Sequence, residues 1–519
     1  MNSIMESTTR EKPVRRPSLR LNALSNWALL GVNVIVGFLL TPFIIGHVGK
    51  TGYGIWTLIG SFIGYYGLLN LGVESAITRY VARYAGQGDD KSLNETASTA
   101  MVMFCCTGVL AIVASLFLAG VLAGFFEVEA EYLDDFRYVV WIIGVATGLT
   151  FPGNVFRAIV CAHEKYVAVN CAGIAATLVR AGLIVYLLTC GVGLVGVSLA
   201  TLGSQLVELV GGFVLYRILT PAVRIKWSLS KWRVLGPLIV YGGVSTVIVV
   251  AHILRTNIAA VIIGKCVNMS AVGVYGVAAL IIRYITQVIT AGMGVLTPRF
   301  AALDGAKEHG RLKSLFLRSL SISALLAFAM CALGIIFGDR FITLWVGKEF
   351  SEATPVLWVL CGSYAFALAQ NPAIGAMYAL NKHYFFGIAT LIEALTGVIL
   401  GVMLASKYGI LGVAIGLAIP MLVIRILVMP IYVSRIVGVG ILEYLRPLAA
   451  PSALGGIMVA VWWTFDPFRF LDRYALVGLG ICGAAAGLIF VVTVLAISSV
   501  LGLTSPRGPR LAGPRETKM

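Results

Sequence analysis

The sequence predicts an all-α membrane protein with about fourteen transmembrane helices. Of its 519 residues, 59% are hydrophobic and only 12% are charged, and its mean hydropathy is +0.94. A soluble core does not need so many apolar residues. Apolar runs long enough to cross a bilayer follow one another along almost the whole chain. Composition and run length therefore indicate the same fold class.

The basic residues indicate how the helices are oriented. The formal net charge is +16, but the Lys and Arg residues lie in both tails and in short segments between apolar runs. That distribution is typical of membrane topology and not of a nucleic-acid surface, so no nucleic-acid partner is expected. If the N-terminus is cytoplasmic, the basic connections fall on the cytoplasmic side and the acidic segment 127–135 falls outside. An even number of spans returns the C-terminus to the cytoplasm. The predicted spans are 22–46, 53–78, 96–125, 138–162, 167–190, 195–219, 236–263, 271–297, 314–338, 354–380, 385–405, 410–434, 446–465 and 474–501.

A weak internal repeat divides the predicted helices into two lobes. Four short matches recur in order at an offset of about 220 residues, among them Arg79-Tyr80 with Arg299-Phe300 and Tyr53-Gly54 with Tyr275-Gly276. The offset carries six helices, so the repeats are parallel and related by a pseudo-twofold axis along the membrane normal. The predicted organisation is a basic tail at 1–21, a first lobe at 22–219, a cytoplasmic linker at 220–235, a second lobe at 236–434, two further helices at 446–501 and a cytoplasmic tail at 502–519.

Motifs for catalysis and for metal or cofactor binding are absent from the sequence. It has no Walker lysine motif, no His-Glu-x-x-His and no Gly-x-Ser-x-Gly, and its nine cysteines include no Cys-x-x-Cys. Two Gly-x-Gly-x-x-Gly patterns follow no strand and are read as close helix packing. We therefore expect no catalytic residue, no metal and no cofactor, and the chain is not predicted to be an enzyme.

Four arginines lie inside predicted spans and are the most informative residues. They are Arg180, Arg255, Arg283 and Arg425, which lie nearer the middle of their spans than the other arginines do. A charge near the middle of a span costs several kcal/mol unless it faces a cavity or a partner, and a guanidinium group does not lose its proton. An arginine-lined cavity suits a phosphate or carboxylate group, which the planar fork binds through two hydrogen bonds. We predict that these arginines bind the substrate.

Four other ionisable residues are candidate charge partners or coupling residues. Glu74, Glu208 and Glu393 could neutralise the arginines as purely structural ion pairs, which is the alternative to substrate binding. His252 lies three residues before Arg255 and could titrate near neutral pH or simply pack against its neighbours. Since four arginines face three glutamates, a net positive charge is expected in the interior. Buried Asn and Gln residues could hydrogen-bond a hydroxyl-rich substrate along the same route.

Two stretches near the N-terminus resemble a known family. Residues 42–56 (PFIIGHVGKTGYGIW) and 68–80 (LLNLGVESAITRY) resemble polysaccharide transporters of the multidrug/oligosaccharidyl-lipid/polysaccharide (MOP) superfamily, which includes the Wzx-type O-antigen flippases. The resemblance is sharpest over residues 20–95. It implies a MATE/MurJ-like fold in the bacterial inner membrane.

The resemblance also implies a function. The expected activity is the movement of a polyprenyl-pyrophosphate-linked oligosaccharide across the membrane by alternating access, for surface polysaccharide synthesis. Besides this substrate and membrane lipids, a glycan polymerase and export proteins are expected partners. Two alternatives stay open: an ion-coupled multidrug antiporter of the same superfamily, and a membrane-embedded glycosyltransferase or polymerase. The first would favour acidic residues in mid-membrane, and the second would need a larger outer loop than any in this sequence.

Overall fold

A computed structural model describes residues 19–70 and 73–465, and the regular structure in these ranges is entirely helical. Eleven of the described segments are long and apolar enough to cross a membrane. The all-α membrane class is therefore confirmed. The predicted number of fourteen helices is not, because the span predicted at 474–501 lies outside the described residues, as do the C-terminal tail and nearly all of the N-terminal one.

In the first half of the chain, the described residues form six α-helices. They are α1 (Leu19–Tyr66), α2 (Val73–Gln87), α3 (Asp90–Phe125), α4 (Leu133–Ala162), α5 (Tyr166–Thr189) and α6 (Gly193–Leu219), with short 3₁₀ helices at Gly67–Asn70 and Ala130–Tyr132. The two spans predicted at 22–46 and 53–78 are not separated by a loop. They are joined through a kink at Gly49, whose φ of 71° is a conformation that glycine adopts without strain. The prediction of one helix over 53–78 is wrong, since α1 ends at Tyr66 and α2 is separate.

The second half contains nine α-helices up to residue 465, where the description ends. They are α7 (Trp232–Cys266), α8 (Met269–Gly294), α9 (Leu296–Gly305), α10 (His309–Val346), α11 (Ala353–Ala369), α12 (Asn371–Ala379), α13 (Tyr384–Val423), α14 (Met429–Val437) and α15 (Ile441–Phe465), with 3₁₀ helices at Trp227–Leu229 and Lys348–Phe350 and a π-helical turn at Ile424–Val428. The predicted span 354–380 is broken at Gln370. The predicted spans 385–405 and 410–434 are joined by a kink at Gly409 and then interrupted by the π turn, which contains Arg425.

Helix starts in the two halves recur at a nearly constant spacing. α3 and α10 begin at Asp90 and His309, which are 219 positions apart, and α4 and α11 begin at Leu133 and Ala353, which are 220 positions apart. The division into two lobes remains a prediction, and this spacing supports it.

The two halves touch along a close seam between α1 and α8. A Cβ atom on Gly54 would lie 1.8 Å from the Met269 carbonyl oxygen, and one on Gly273 would lie 2.6 Å from the Lys50 carbonyl oxygen. Such distances are too short for any side chain, so the glycines allow the two backbones to meet. In the predicted topology this seam lies at the periplasmic end, where it closes the space between the halves.

Two polar contacts between the halves accompany the seam. The Lys265 ammonium group donates to the Glu127 carboxylate at 2.7 Å and holds the pKa of that carboxyl group below its ordinary value. The Trp345 indole nitrogen, near the end of α10, donates to the Phe38 carbonyl oxygen at 3.0 Å. These contacts join the α3–α4 connection to the end of α7, and α1 to α10.

Candidate functional site

A polar cavity lies among α1, α4, α5 and α6, inside the predicted first lobe. Its volume is about 270 Å³, and it opens to the surface. Arg180 lies fourteen residues into α5, about 21 Å along the helix axis from the end predicted to be cytoplasmic. Residues near the helix ends on that side, including Asn170 and Leu215, also line the cavity. Its polar lining consists of Asn33, Thr150, Asn154, Arg157, Asn170, Thr177, Arg180, Ser204, Gln205 and Glu208.

Two arginines and one glutamate give this cavity its charge. Arg180 is half-buried, whereas Arg157 and Glu208 are exposed to the cavity. The Glu208 carboxylate is within electrostatic range of both guanidinium groups, yet no ion pair closer than 4.0 Å joins them in the described residues. The Nε atom of Arg180 is buried without a hydrogen-bond partner. We refer to Arg157, Arg180 and Glu208 as the cavity triad.

Arg157 was not among the predicted site residues. It lies five residues before the end of α4 and therefore looked like an ordinary charge at a helix terminus. The available signal was its spacing from Asn154, because residues three apart share one helix face. Two polar side chains on one face of an apolar helix indicate a cavity.

Side-chain amides line the rest of the cavity. The Thr150 hydroxyl donates to the Gln205 amide oxygen at 3.0 Å, and the Thr177 hydroxyl donates to the Asn33 amide oxygen at 2.8 Å. Each of these amides also carries an NH₂ group that can hydrogen-bond a ligand hydroxyl. The wall of the cavity therefore combines cations with neutral hydrogen-bonding groups.

Arg255 and Arg425 lie elsewhere, in the predicted second lobe, and both pair with Glu393. The Arg255 Nη1 atom is 3.5 Å from Glu393 Oε1, and the Arg425 Nη2 atom is 3.9 Å from Glu393 Oε2. The side chains of Glu393 and Arg425 are 2% and 1% exposed, while that of Arg255 is 19% exposed. The structure thus displays the ion pairing that the sequence left open as the alternative for these arginines. We refer to Arg255, Glu393 and Arg425 as the second-lobe brace.

The brace is attached to further buried polar groups. The Gln370 amide NH₂ donates to the Arg425 carbonyl oxygen at 2.7 Å, and the Tyr444 hydroxyl donates to the Gln370 amide oxygen at 3.0 Å. The Arg425 guanidinium carbon lies 5.2 Å from the centre of the Phe386 ring. These contacts join α7, α13, the π turn, the break between α11 and α12, and α15.

Arg283 makes neither an ion pair nor a hydrogen bond in the part of the chain that the structure describes. It is exposed on α8, on one helix face with Gln287 and Thr290. The hydroxyl of its chain neighbour Tyr284 lies within electrostatic range of Arg180, so this part of α8 lies near the cavity triad. An exposed polar face on an apolar helix indicates contact with water instead of lipid.

Two candidate residues remain, His252 and Glu74. His252 is exposed on α7 and lies within electrostatic range of Arg255. The Glu74 side chain lies outside the described residues. In the described ranges, no group of three or more His, Cys, Asp or Glu residues could hold a metal ion.

Comparison with known proteins finds a matching family and several similar proteins. Residues 49–355 match the family described as Polysaccharide biosynthesis protein. The chain is 23% identical over 455 residues to the uncharacterized membrane protein EpsK of Bacillus subtilis, covering 86% of this chain and 88% of that protein. It is 22% identical over 422 residues to a putative O-antigen transporter of Shigella flexneri, covering 79% and 96%. It is also 24% identical over 402 residues to the probable flippase AglR of Haloferax volcanii, covering 74% and 78%.

Solved structures share the fold. The lipid II flippase MurJ in an inward closed conformation superposes with a TM-score of 0.70 at 13% identity, covering 93% of this chain and 99% of that one. An inward-facing multidrug resistance MATE transporter of the MOP superfamily gives a TM-score of 0.66 at 16% identity, covering 80% and 98%. The predicted MATE/MurJ-like fold is thus confirmed. Since the family match spans more than half of its residues, the chain belongs to the polysaccharide biosynthesis protein family.

Proposed function

We propose that this protein is a flippase that moves a lipid-linked oligosaccharide across the bacterial inner membrane for surface polysaccharide synthesis. The family and the names of two relatives, an O-antigen transporter and a probable flippase, support this activity. Transport by such a protein needs no catalytic residue and no cofactor. We propose that both termini are cytoplasmic and that a glycan polymerase and export proteins receive the product.

The cavity triad is the observation that carries the proposal. Two guanidinium groups and one carboxylate leave one excess positive charge in a cavity that reaches mid-membrane. The pyrophosphate of a polyprenyl-linked oligosaccharide matches that charge and the guanidinium geometry. The first sugars carry hydroxyl groups that the surrounding amides can hydrogen-bond. A cationic drug would instead be repelled by the arginines.

The two ends of the molecule suggest how the substrate moves. The α1–α8 seam closes the predicted periplasmic end, while the cavity extends towards the predicted cytoplasmic end. We propose that the headgroup enters from the cytoplasmic leaflet, that its pyrophosphate binds Arg180 and Arg157, and that the seam then opens. Arg283 would bind the same group as it passes between the lobes. The predicted contacts of Arg255 and Arg425 with the substrate are not needed in this scheme, because both pair with Glu393.

Replacement of Arg180 tests the proposal. In a strain that lacks its own flippase for the matching glycan, the wild-type chain should restore surface polysaccharide and Arg180→Ala should not. Arg180→Lys should restore only part of the export, because lysine keeps the charge but loses the planar fork. Arg137→Ala is the matched control, since Arg137 pairs with Asp134 near the start of α4 and does not line the cavity. Membrane expression of every variant should be equal by immunoblot.

Two outcomes would contradict the proposal. Unchanged glycan export by a well-expressed Arg180→Ala variant would remove the cavity triad from the transport route. Ion-dependent efflux of cationic dyes, together with no restoration of glycan export by the wild-type chain, would favour the multidrug antiporter. A glycosyltransferase or polymerase would instead change glycan length in a purified system without moving lipid.

A further inference from the structure

The segment that connects the two lobes is fixed to α3 by its backbone. The backbone N–H groups of Arg224, Lys226 and Lys231 donate to the side-chain oxygens of Asn94, Ser98 and Thr99 at 2.7, 3.1 and 2.9 Å. The Tyr216 hydroxyl at the end of α6 donates to the Val223 carbonyl oxygen at 2.8 Å. We refer to residues 220–233 as the strap. Because backbone groups make these bonds, the conformation of the strap does not depend on its own polar side chains.

The outward side chains of the strap have an unusual composition. Trp227 and Trp232 are 71% and 88% exposed. Arg224, Lys226, Lys231 and Arg233 are exposed as well, and the strap contains no acidic residue. None of these six side chains makes a hydrogen bond or an ion pair with any described residue.

The position of the strap on α3 places it at the depth of lipid headgroups. Exposed apolar side chains on α3 reach Phe125 at its outer end. Thr99 lies 26 residues before Phe125, which is about 39 Å along the helix axis. The hydrocarbon core is about 30 Å thick, and the bilayer with its headgroups about 40–45 Å. The strap therefore lies beyond the hydrocarbon, in the headgroup layer of the predicted cytoplasmic leaflet.

We propose that the strap is a binding site for anionic phospholipids of the cytoplasmic leaflet. Indole rings favour the interface between hydrocarbon and water, and clustered Lys and Arg residues attract anionic headgroups there. The rigid attachment to α3 holds two rings and four cations together at this depth. Such binding would anchor the junction between the lobes to the membrane. The inference needs only a membrane-spanning chain and is independent of the transported substrate.

Fluorescence quenching tests the lipid preference directly. The full-length protein is reconstituted into phosphatidylcholine vesicles that contain a minor fraction of phosphatidylglycerol, with bromine on the acyl chains of one lipid or of the other. The contribution of the strap is the difference in tryptophan quenching between the wild type and the Trp227→Phe/Trp232→Phe variant. Per brominated lipid molecule, this contribution should be at least about tenfold larger when phosphatidylglycerol carries the bromine than when phosphatidylcholine does. The reason is that every surface cation adds to the attraction.

Two charge variants and one competitor make the experiment decisive. Replacing Arg224, Lys226, Lys231 and Arg233 by Gln should abolish the preference. The matched control replaces four exposed cations outside the strap by Gln, namely Lys91, Lys307, Lys382 and Arg435, and should retain it. Equal quenching by both lipids, or a preference that survives in the strap variant, would overturn the proposal. So would displacement by inorganic pyrophosphate, which would assign the cations to the headgroup of the transported substrate. The readout is lipid contact, so a failure here leaves the flippase proposal untouched.

Discussion

The cavity triad and the second-lobe brace contain the same residue types, two arginines and one glutamate, in opposite environments. In the brace, Glu393 and Arg425 are almost fully buried and Glu393 lies within 4.0 Å of both arginines. In the cavity triad, Glu208 and Arg157 are exposed and no such ion pair forms in the described residues. Charge and residue type are equal, so burial and distance distinguish the two sets.

The comparison shows which set can bind a ligand. Two cations that share a buried carboxylate are not available to another anion. Breaking the ion pairs would leave unpaired charge in a medium of low dielectric constant. Cations that face water without a close partner lose little when an anionic ligand replaces the water. The brace therefore holds helices together, and the cavity triad is available to a substrate.

The largest expected effect is on stability, at Glu393. Glu393→Gln keeps the volume but leaves two adjacent guanidinium groups without their counter-charge. Breaking a buried ion pair in this way costs about 3–5 kcal/mol. We expect a large fall in the apparent Tm of the detergent-solubilised protein. A second variant, Glu393→Gln/Arg425→Gln, should recover part of the loss because Arg255 is partly exposed and can reach water. If the stability losses at Glu393 and Arg425 simply add in the double variant, the two residues are not energetically coupled.

The second effect is on transport, at Arg283. This side chain is exposed and has no partner in the described residues, so Arg283→Ala should leave the apparent Tm unchanged. Glycan export should nevertheless fall by at least about tenfold, since one charge-assisted contact of the passing pyrophosphate is lost. Arg283→Lys should export more than the alanine variant. Wild-type export by Arg283→Ala would mean that the polar face of α8 lies outside the transport route.

The sequence predicted the all-α membrane class, because that class depends on local composition. The depth of the arginines in the membrane stays a prediction. Whether an arginine would pair was not predictable. Arg255 and Glu393 are 138 positions apart, and their contact depends on how α7 and α13 are rotated. The amphipathic pattern that reveals rotation in a soluble helix is weak here, since lipid and protein interior are both apolar.

Helix boundaries show a similar limit. A sliding window records hydrophobicity and not backbone direction, so Gly49 and Gly409 looked like ordinary positions between spans. At both glycines the backbone leaves the helical conformation, so two helices meet there without an intervening loop. The π turn that carries Arg425 was equally invisible, because its composition is that of the helix around it.

A smaller stability effect is expected at Tyr444, which extends the brace through Gln370. Tyr444→Phe removes the hydroxyl that donates to the Gln370 amide oxygen at 3.0 Å and leaves that buried acceptor without this bond. The loss of such a hydrogen bond costs about 1 kcal/mol. The apparent Tm should fall by much less than in Glu393→Gln. Tyr408→Phe is the control, because Tyr408 is exposed. A Tm equal to the wild-type value would show that the brace does not depend on its link to α15.

The smallest stability effect is expected at Glu208, the counterpart of Glu393 in the cavity. Glu208 is exposed and has no ion-pair partner within 4.0 Å in the described ranges, so Glu208→Gln should change the free energy of unfolding by no more than about 0.5 kcal/mol. The same change removes the one negative charge of the triad. Inorganic pyrophosphate should then stabilise the variant at lower concentrations than it stabilises the wild type, measured as the shift of apparent Tm during a titration. Export should slow, because an anion that binds more tightly leaves more slowly. If Glu208→Gln instead lowered the apparent Tm as far as Glu393→Gln, the cavity triad and the second-lobe brace would both be structural. Burial would then not distinguish them.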